Sequence, residues 1–201
     1  MPELVRSVVP AGRMGHRDQP VLRADGLTLR PFLLIDAVEL AVVYQDADIQ
    51  RWHARSLDED EAHAWITATR ASWRAETAAN WAVADSDGVL VGRVGFRMIN
   101  LHDGVAEIAY WTAFGARRRG VATTAVQAIS SWALDQLGLH RLELNHSTVN
   151  LGSCQVADRA GFAYEGTRRE QVLHPDGWHD MHVHGRLASD TVPETGLTDG
   201  D

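Results

Sequence analysis

The 201-residue sequence predicts a mixed α/β fold in which a central, mostly antiparallel sheet carries helices on its faces. Two observations point there. Three strand-like segments, Trp81 to Ala84, Val89 to Ile99 and Val105 to Trp111, follow one another across Asp87-Gly88 and Asp103-Gly104 turns, the pattern of an antiparallel meander. Helix-patterned stretches lie before and after the meander rather than between its strands. The order reads β, α, α, β, β, β, α, β, α, β, β, which is not the alternation of a doubly wound sheet.

The elements are read in turn from the N-terminus. Residues 1–20 hold Pro2, Pro10 and Pro20 with no sustained periodicity, and are expected to be a loose leader. Leu27 to Phe32 reads as a strand, and Asp36 as the cap of a first helix running to Tyr44. Ser56-x-x-Glu59 has the form of a capping box for a second helix, on which Trp65, Ile66, Thr69 and Trp73 recur at helical spacing. After the meander, Val121 to Leu137 is a long apolar helix with Gly138 placed to end it. Arg141 to His146 alternates as a strand, and a short helix begins at Asn150 or Leu151 and stops at Gly161. Two last strands flank the Pro175-Asp176-Gly177 turn. No internal repeat or linker interrupts 21–187, so this stretch is expected to be one domain. Ala188 to Asp201, acidic and without a basic residue, reads as a solvated, disordered tail.

With 45% hydrophobic and 23% charged residues, the composition is that of an ordinary soluble domain. No apolar run is long enough to span a membrane. A net charge of −8 argues against a nucleic-acid binder, which carries an excess of Lys and Arg on one face. The single Cys154 fits a reducing, cytoplasmic setting.

One local cluster opposes the acidic total. Arg117-Arg118-Arg119-Gly120-Val121-Ala122 stands where an apolar strand hands over to the long helix. The first N–H groups of a helix lack internal partners and carry the positive end of its dipole, so a phosphate there meets donors and favourable charge together. Gly120 permits a close backbone approach.

With this loop, the chain resembles the GNAT superfamily of N-acetyltransferases, whose coenzyme A loop reads Gln/Arg-x-x-Gly-x-Gly/Ala. Arg117, Gly120 and Ala122 occupy the defined places. Within the superfamily the resemblance is to the Rim-type branch, which acetylates ribosomal-protein N-termini. It extends through Leu27-Thr-Leu-Arg-Pro31, Ala106-Glu-Ile-Ala-Tyr-Trp111, Asn150-x-x-Ser153, Ala160-Gly-Phe162, Glu165-Gly166 and Gly177-Trp-His-Asp180. The sequence departs from the branch at Phe114, where a Pro is usual, at Arg118, where the first loop Gly is usual, and at Ala157, where many relatives carry a tyrosine acid.

The resemblance implies an acyl-CoA N-acyltransferase fold whose central strands splay apart to admit pantetheine, and an acetyl-CoA-dependent transfer to a primary amine without a covalent enzyme intermediate. It implies a coenzyme A site of Trp111, Thr112, Arg117, Arg118, Arg119, Gly120, Val121, Ala122, Thr123 and Asn150. The acceptor, a protein N-terminus or a small-molecule amine, is written in no motif. A different donor such as succinyl-CoA, and a regulatory acyl-CoA-binding module with little turnover, stay open, as does a homodimer.

Two residues are candidates for the chemistry. Strand alternation puts Glu107, Ala109 and Trp111 on one face and Ala106, Ile108 and Tyr110 on the other. Glu107 is either a salt-bridged strand carboxylate or, as the resemblance implies, the general base. Ser153 either caps its helix or donates to the leaving thiolate, with Tyr164 as the alternative acid. Trp52 is either core or part of the acceptor entrance. The histidines near the C-terminus put Asp180, His182 and His184 on one strand face in the form of a three-ligand set. The resemblance needs no metal, and none is expected.

Overall fold

The computed structural model describes residues 4–190. Its strands are β1 (Leu22–Ala24), β2 (Leu27–Pro31), β3 (Ala79–Ala84), β4 (Leu90–Asn100), β5 (Val105–Thr112), β6 (Arg141–Ser147), β7 (Ala163–His174) and β8 (Gly177–Leu187). Its helices are α1 (Asp36–Val43), α2 (Ala47–His53), α3 (Glu59–Arg74), α4 (Val121–Ser131) and α5 (Leu151–Arg159). The strands form one sheet in the order β1-β2-β3-β4-β5-β6-β8-β7. Only β5 and β6 run parallel; the other neighbours are antiparallel.

Strand alternation divides the apolar side chains between two clusters. Trp81 and Val83 join Phe96, Ile108, Val126, Ile129 and Leu142, whereas Ala82 and Trp111 join Phe32, Leu40, Ile49 and Ile66. The sheet is thus packed on both faces, by α4 and α5 on one and by α1 to α3 chiefly on the other.

Two elements went unpredicted. β1 has only 3 residues, and α2 has 7, of which Ile49 alone is buried. Neither is long enough to show a period. The carboxylate of Asp46 caps α2 by accepting from the N–H groups of Asp48 and Ile49, and Ala54 ends it in the left-handed region.

The capping box of α3 lies two residues beyond the expected one. Asp58 accepts from Glu61 N at 2.8 Å, and the Glu61 carboxylate accepts from Asp58 N at 2.9 Å. Starting there leaves Leu57 just outside the helix and buried in the same cluster as Ala62, the hydrophobic-staple arrangement that Ser56 could not provide. Asp36 is likewise not the cap of α1. It sits in the first turn, where its carboxylate pairs with Arg30 at 2.7 and 2.8 Å and accepts from Leu33 N, so it holds the turn leading into α1. The long helix continues past α4 as a π-helical stretch, Trp132–Leu137, and ends at Gly138 with φ 88°.

Of the expected loose leader, residues 8–20 pack against the rest of the chain. Val9 and Met14 are buried, and the Glu76 carboxylate accepts backbone N–H bonds from Gly12, Met14 and Gly15 at 2.7, 2.8 and 2.9 Å. The indole N–H groups of Trp73 and Trp81 donate to the carbonyls of Arg17 and Pro20, each at 2.8 Å. These partners lie far away in sequence, so no local pattern announces them. The expected tail falls outside the described residues beyond Asp190. Among the described residues, no helix is long and apolar enough to cross a membrane.

Burial alone would raise the Glu76 pKa, but its three N–H donors and nearby His16 hold it below the usual value. Its contribution to stability is therefore present above the ordinary carboxylate range and lost as pH falls through the lowered folded value. Glu76→Ala is expected to cost about 2 to 3 kcal/mol. It is also expected to open residues 8–20 to protease at neutral pH, where the wild type resists. Equal digestion of both proteins would contradict the clamp.

Candidate active site

β5 and β6 pair only from Val105 to Ile108 against Arg141 to Leu144. Beyond that point β5 stays with β4 and β6 stays with β8, so a notch opens in the middle of the sheet. The notch leads into a cleft of about 780 Å³. At its edge, β5 presents Ala109 to Thr112 with no strand on that side, a free edge able to receive an extended amide-bearing arm.

One end of the cleft is the start of α4. Gly120 has φ 81°, and no side chain caps the helix, which leaves its leading N–H groups for a ligand. Arg118, Gly120, Val121, Ala122 and Thr123 line the cleft there, with Trp111 and Thr112 from β5. Arg118 itself has φ 60°, the left-handed region that glycine adopts without strain, so its departure from the usual loop glycine is a strained residue rather than a rebuilt loop. Arg119 does not line the cleft.

Arg117 requires a correction. Its guanidinium pairs with Asp46 at 2.8 Å and Asp48 at 2.6 Å, and its Nε donates to Thr112 O at 3.3 Å. It lines the cleft, yet its charge is matched by two carboxylates, so it ties the loop to α2 rather than offering a free cation. The spacing of three arginines could not show this, because Asp46 and Asp48 are about seventy residues away in sequence.

The other end of the cleft holds the candidate chemistry. Glu107 lines it, with its side chain 14% exposed and Oε1 3.6 Å from Arg97. A bulge in β4, at which Phe96 faces Ile108 and Met98 faces Glu107, makes Arg97 the extra residue and brings it beside the carboxylate. Ser153 lines the cleft from the first turn of α5. It does not cap that helix. Asn150 does, its Oδ1 accepting from Ser153 N at 3.1 Å, so the Ser153 hydroxyl is left for other use. Tyr164 is elsewhere, 56% exposed on β7 with its hydroxyl against Thr167.

Three lining residues were missed by sequence reasoning. The Tyr110 hydroxyl is buried, makes no hydrogen bond of good geometry among the described residues, and lies near Ser153; burial pushes its pKa up to about 12. The phenol therefore stays protonated, with its O–H available to a ligand. Asn145 Oδ1 is likewise buried without a partner. Such orphaned groups beside a free strand edge fit a ligand that carries amides. His53 is held neutral, its pKa lowered to about 4 by burial and by the charge of Arg93, which makes it a weak base at pH 7. Alternation marked Tyr110 only as sharing a strand face with Ala106 and Ile108; nothing local marked Asn145 or His53.

Trp52 lines the cleft too, with the Arg51 guanidinium over its ring face and His174 in an edge-on contact. It also borders a second cavity of about 290 Å³, shared with Tyr44, Arg55, Trp65, Arg93 and Arg97. Arg93 Nε donates to Asn80 Oδ1 at 2.7 Å, and its guanidinium lies 5.5 Å from the Trp65 ring. No carboxylate pairs with it among the described residues. Asp180 does not converge with His182 and His184; its Oδ1 accepts from Glu170 N at 2.8 Å.

The family model described as the acetyltransferase (GNAT) domain matches residues 26–163. "Probable N-acetyltransferase YjcK" of Bacillus subtilis is 35% identical over 99 residues, 49% of this chain and 55% of that protein. The ribosomal-protein-serine acetyltransferase of Escherichia coli is 29% identical over 98 residues, with 49% and 55% covered. The chain thus spans about half the length of the relatives it matches. Mycobacterium smegmatis RimJ, solved in complex with CoA-disulfide, superposes with a TM-score of 0.74 at 22% identity over 84% of this chain and 86% of that one, a likeness of fold.

Proposed function

The chain belongs to the GNAT acetyltransferase family, and on that premise we propose that it is an N-acetyltransferase that moves an acetyl group from acetyl-CoA to a primary amine. The observation that carries this reading is the notch between β5 and β6, which joins a helix N-terminus made for phosphate to Glu107 and Ser153 at the far end. Arg118 and the N–H groups of Val121 to Thr123 hold the pyrophosphate. The free edge of β5, with Asn145, takes the pantetheine amides.

The bound donor supplies an activated thioester. At pH 7 an α-amine is about one-tenth neutral and a lysine about one part in a few thousand, so an α-amine asks less of the base. Glu107, directly or through a water, takes the ammonium proton, the nitrogen bonds to the carbonyl carbon, and the carbon–sulfur bond breaks. Ser153 and Tyr110 donate toward the sulfur as its charge develops. Ser153 cannot rely on the usual tyrosine of α5, since Ala157 stands there and is buried. Arg55, Arg93 and Arg97 favour an acceptor with an anionic group near its amine, whether a protein N-terminus or a metabolite. The lone Cys154 fits a cytoplasmic enzyme.

A thiol-release screen tests this with acetyl-CoA and succinyl-CoA against amines that do and do not carry a carboxylate. The expected result is release with acetyl-CoA that depends on an amine, faster with the anionic ones. Ser153→Ala and Tyr110→Phe are expected to lower turnover about tenfold or more across the pH range with coenzyme A affinity retained. Tight coenzyme A binding without release for any amine would instead identify a binding module.

A further inference from the structure

A cluster of possible metal ligands lies beneath α5, apart from the acyl-transfer groups. β6 and β8 set Leu144 opposite His184 and His146 opposite His182, and paired residues project on the same face, so these three imidazoles point to one side of the sheet. Cys154 comes down on them from α5. One ring nitrogen from each histidine and the Cys154 sulfur all lie within 4.8 Å of one another. His146 and His184 are buried, and His182 and Cys154 partly so.

One pair of these ligand atoms already stands at the spacing a tetrahedral ion asks, and the others need draw in by no more than about 1.5 Å. Ligand nitrogens held about 2.0 to 2.1 Å from zinc stand about 3.3 Å apart. His146 Nε2 and His184 Nε2 are separated by 3.2 Å. His146 Nδ1 donates to the carbonyl of Ser147 at 2.9 Å, which leaves Nε2 as the nitrogen with a free lone pair, the second contact by which ligating histidines are commonly oriented. A hydrogen bond between the two Nε2 atoms accounts for that pair alone. It does not account for the convergence of a third imidazole and the chain's single thiol, nor for the buried Nδ1 of His182, which has no partner among the described residues.

We propose that His146, Cys154, His182 and His184 form a closed four-ligand site for a divalent transition ion of the zinc type. Three imidazoles and one thiolate suit zinc and cobalt, and do not suit magnesium or calcium, which take oxygen. On binding, the Cys154 S–H gives its proton to solvent as the sulfur–metal bond forms, with no change of oxidation state. The ion pins α5 to β6 and β8. Asn150 and Ser153 sit at the N-terminus of that helix, so the ion steadies the side of the cleft that holds the proton donor, while only His146 among the ligands reaches the cleft wall.

The test uses the full chain with its affinity tag removed, freed of metal and titrated with Co²⁺. The expected result is uptake of about one equivalent, with the visible bands of tetrahedral cobalt and a thiolate-to-cobalt charge-transfer band, all displaced by Zn²⁺. Because the chain has a single cysteine, that band reports Cys154 alone. Cys154→Ala and Cys154→Ser are expected to abolish the band while circular dichroism and coenzyme A binding persist, and His184→Gln to weaken cobalt binding at least tenfold. Failure of the folded wild type to show a thiolate band or to take up an equivalent of cobalt overturns the proposal, whatever the variants do. Cobalt bands that persist unchanged in the cysteine variants overturn it as well.

Discussion

Gly120→Glu is expected to weaken coenzyme A binding by roughly a hundredfold or more, about 2.7 kcal/mol, in a protein that stays folded. A Cβ built at Gly120 meets nothing within 4 Å, so no clash with the protein arises. The costs are of two kinds. With φ 81°, any residue other than glycine is held in the left-handed region, a penalty of about 1 to 2 kcal/mol. The larger effect is electrostatic, because the new carboxylate stands at the uncapped start of α4 and takes the N–H groups and positive potential meant for phosphate. Gly120→Ala separates the two, since it keeps the strain and adds no charge; it is expected to lose much less affinity. Calorimetric titration of all three proteins checks this, and unchanged affinity in folded Gly120→Glu removes the phosphate site from the loop.

Glu107→Gln is expected to lower turnover about a hundredfold to ten-thousandfold, the range of a general base. The pH profile distinguishes a base from a structural carboxylate. The loss should be largest at low pH, where the amine is protonated and needs the base. It should shrink as pH rises and the amine deprotonates unaided. A salt-bridge role with Arg97 predicts a loss independent of pH and matched by Arg97→Gln. A fall below about threefold at saturating acceptor leaves Glu107 a structural residue and moves the proton to solvent.

These two residues were legible in the sequence for different reasons. Gly120 stands at a junction whose three signals are all local: an apolar strand, a basic loop and an apolar helix. Glu107 was legible only as one face of an alternating strand, and the resemblance to a family supplied its role. Ser153 was ambiguous until the structure showed Asn150 capping α5, which relieves the serine of that duty. Arg117 read as a phosphate ligand and proved to be an anchor for Asp46 and Asp48.

The sequence by itself determined the meander, the long helix after the arginine loop, the last hairpin and the strand–loop–helix junction at Gly120. Each rests on periodicity or turn chemistry among residues within a few positions of one another. Only the tertiary structure decided that residues 8–20 pack on Trp73, Glu76 and Trp81, that Tyr110 and Asn145 carry unmet hydrogen-bonding groups in the cleft, and that a thiol from α5 meets three imidazoles from two strands. The last two depend on groups brought together by the parallel pairing of β5 with β6 and the return of β8 between β6 and β7, and the first on a segment folding back over α3 and β3. A local pattern records neither event, because the hydrogen bonds and charges that select these partners act across space between segments tens of residues apart.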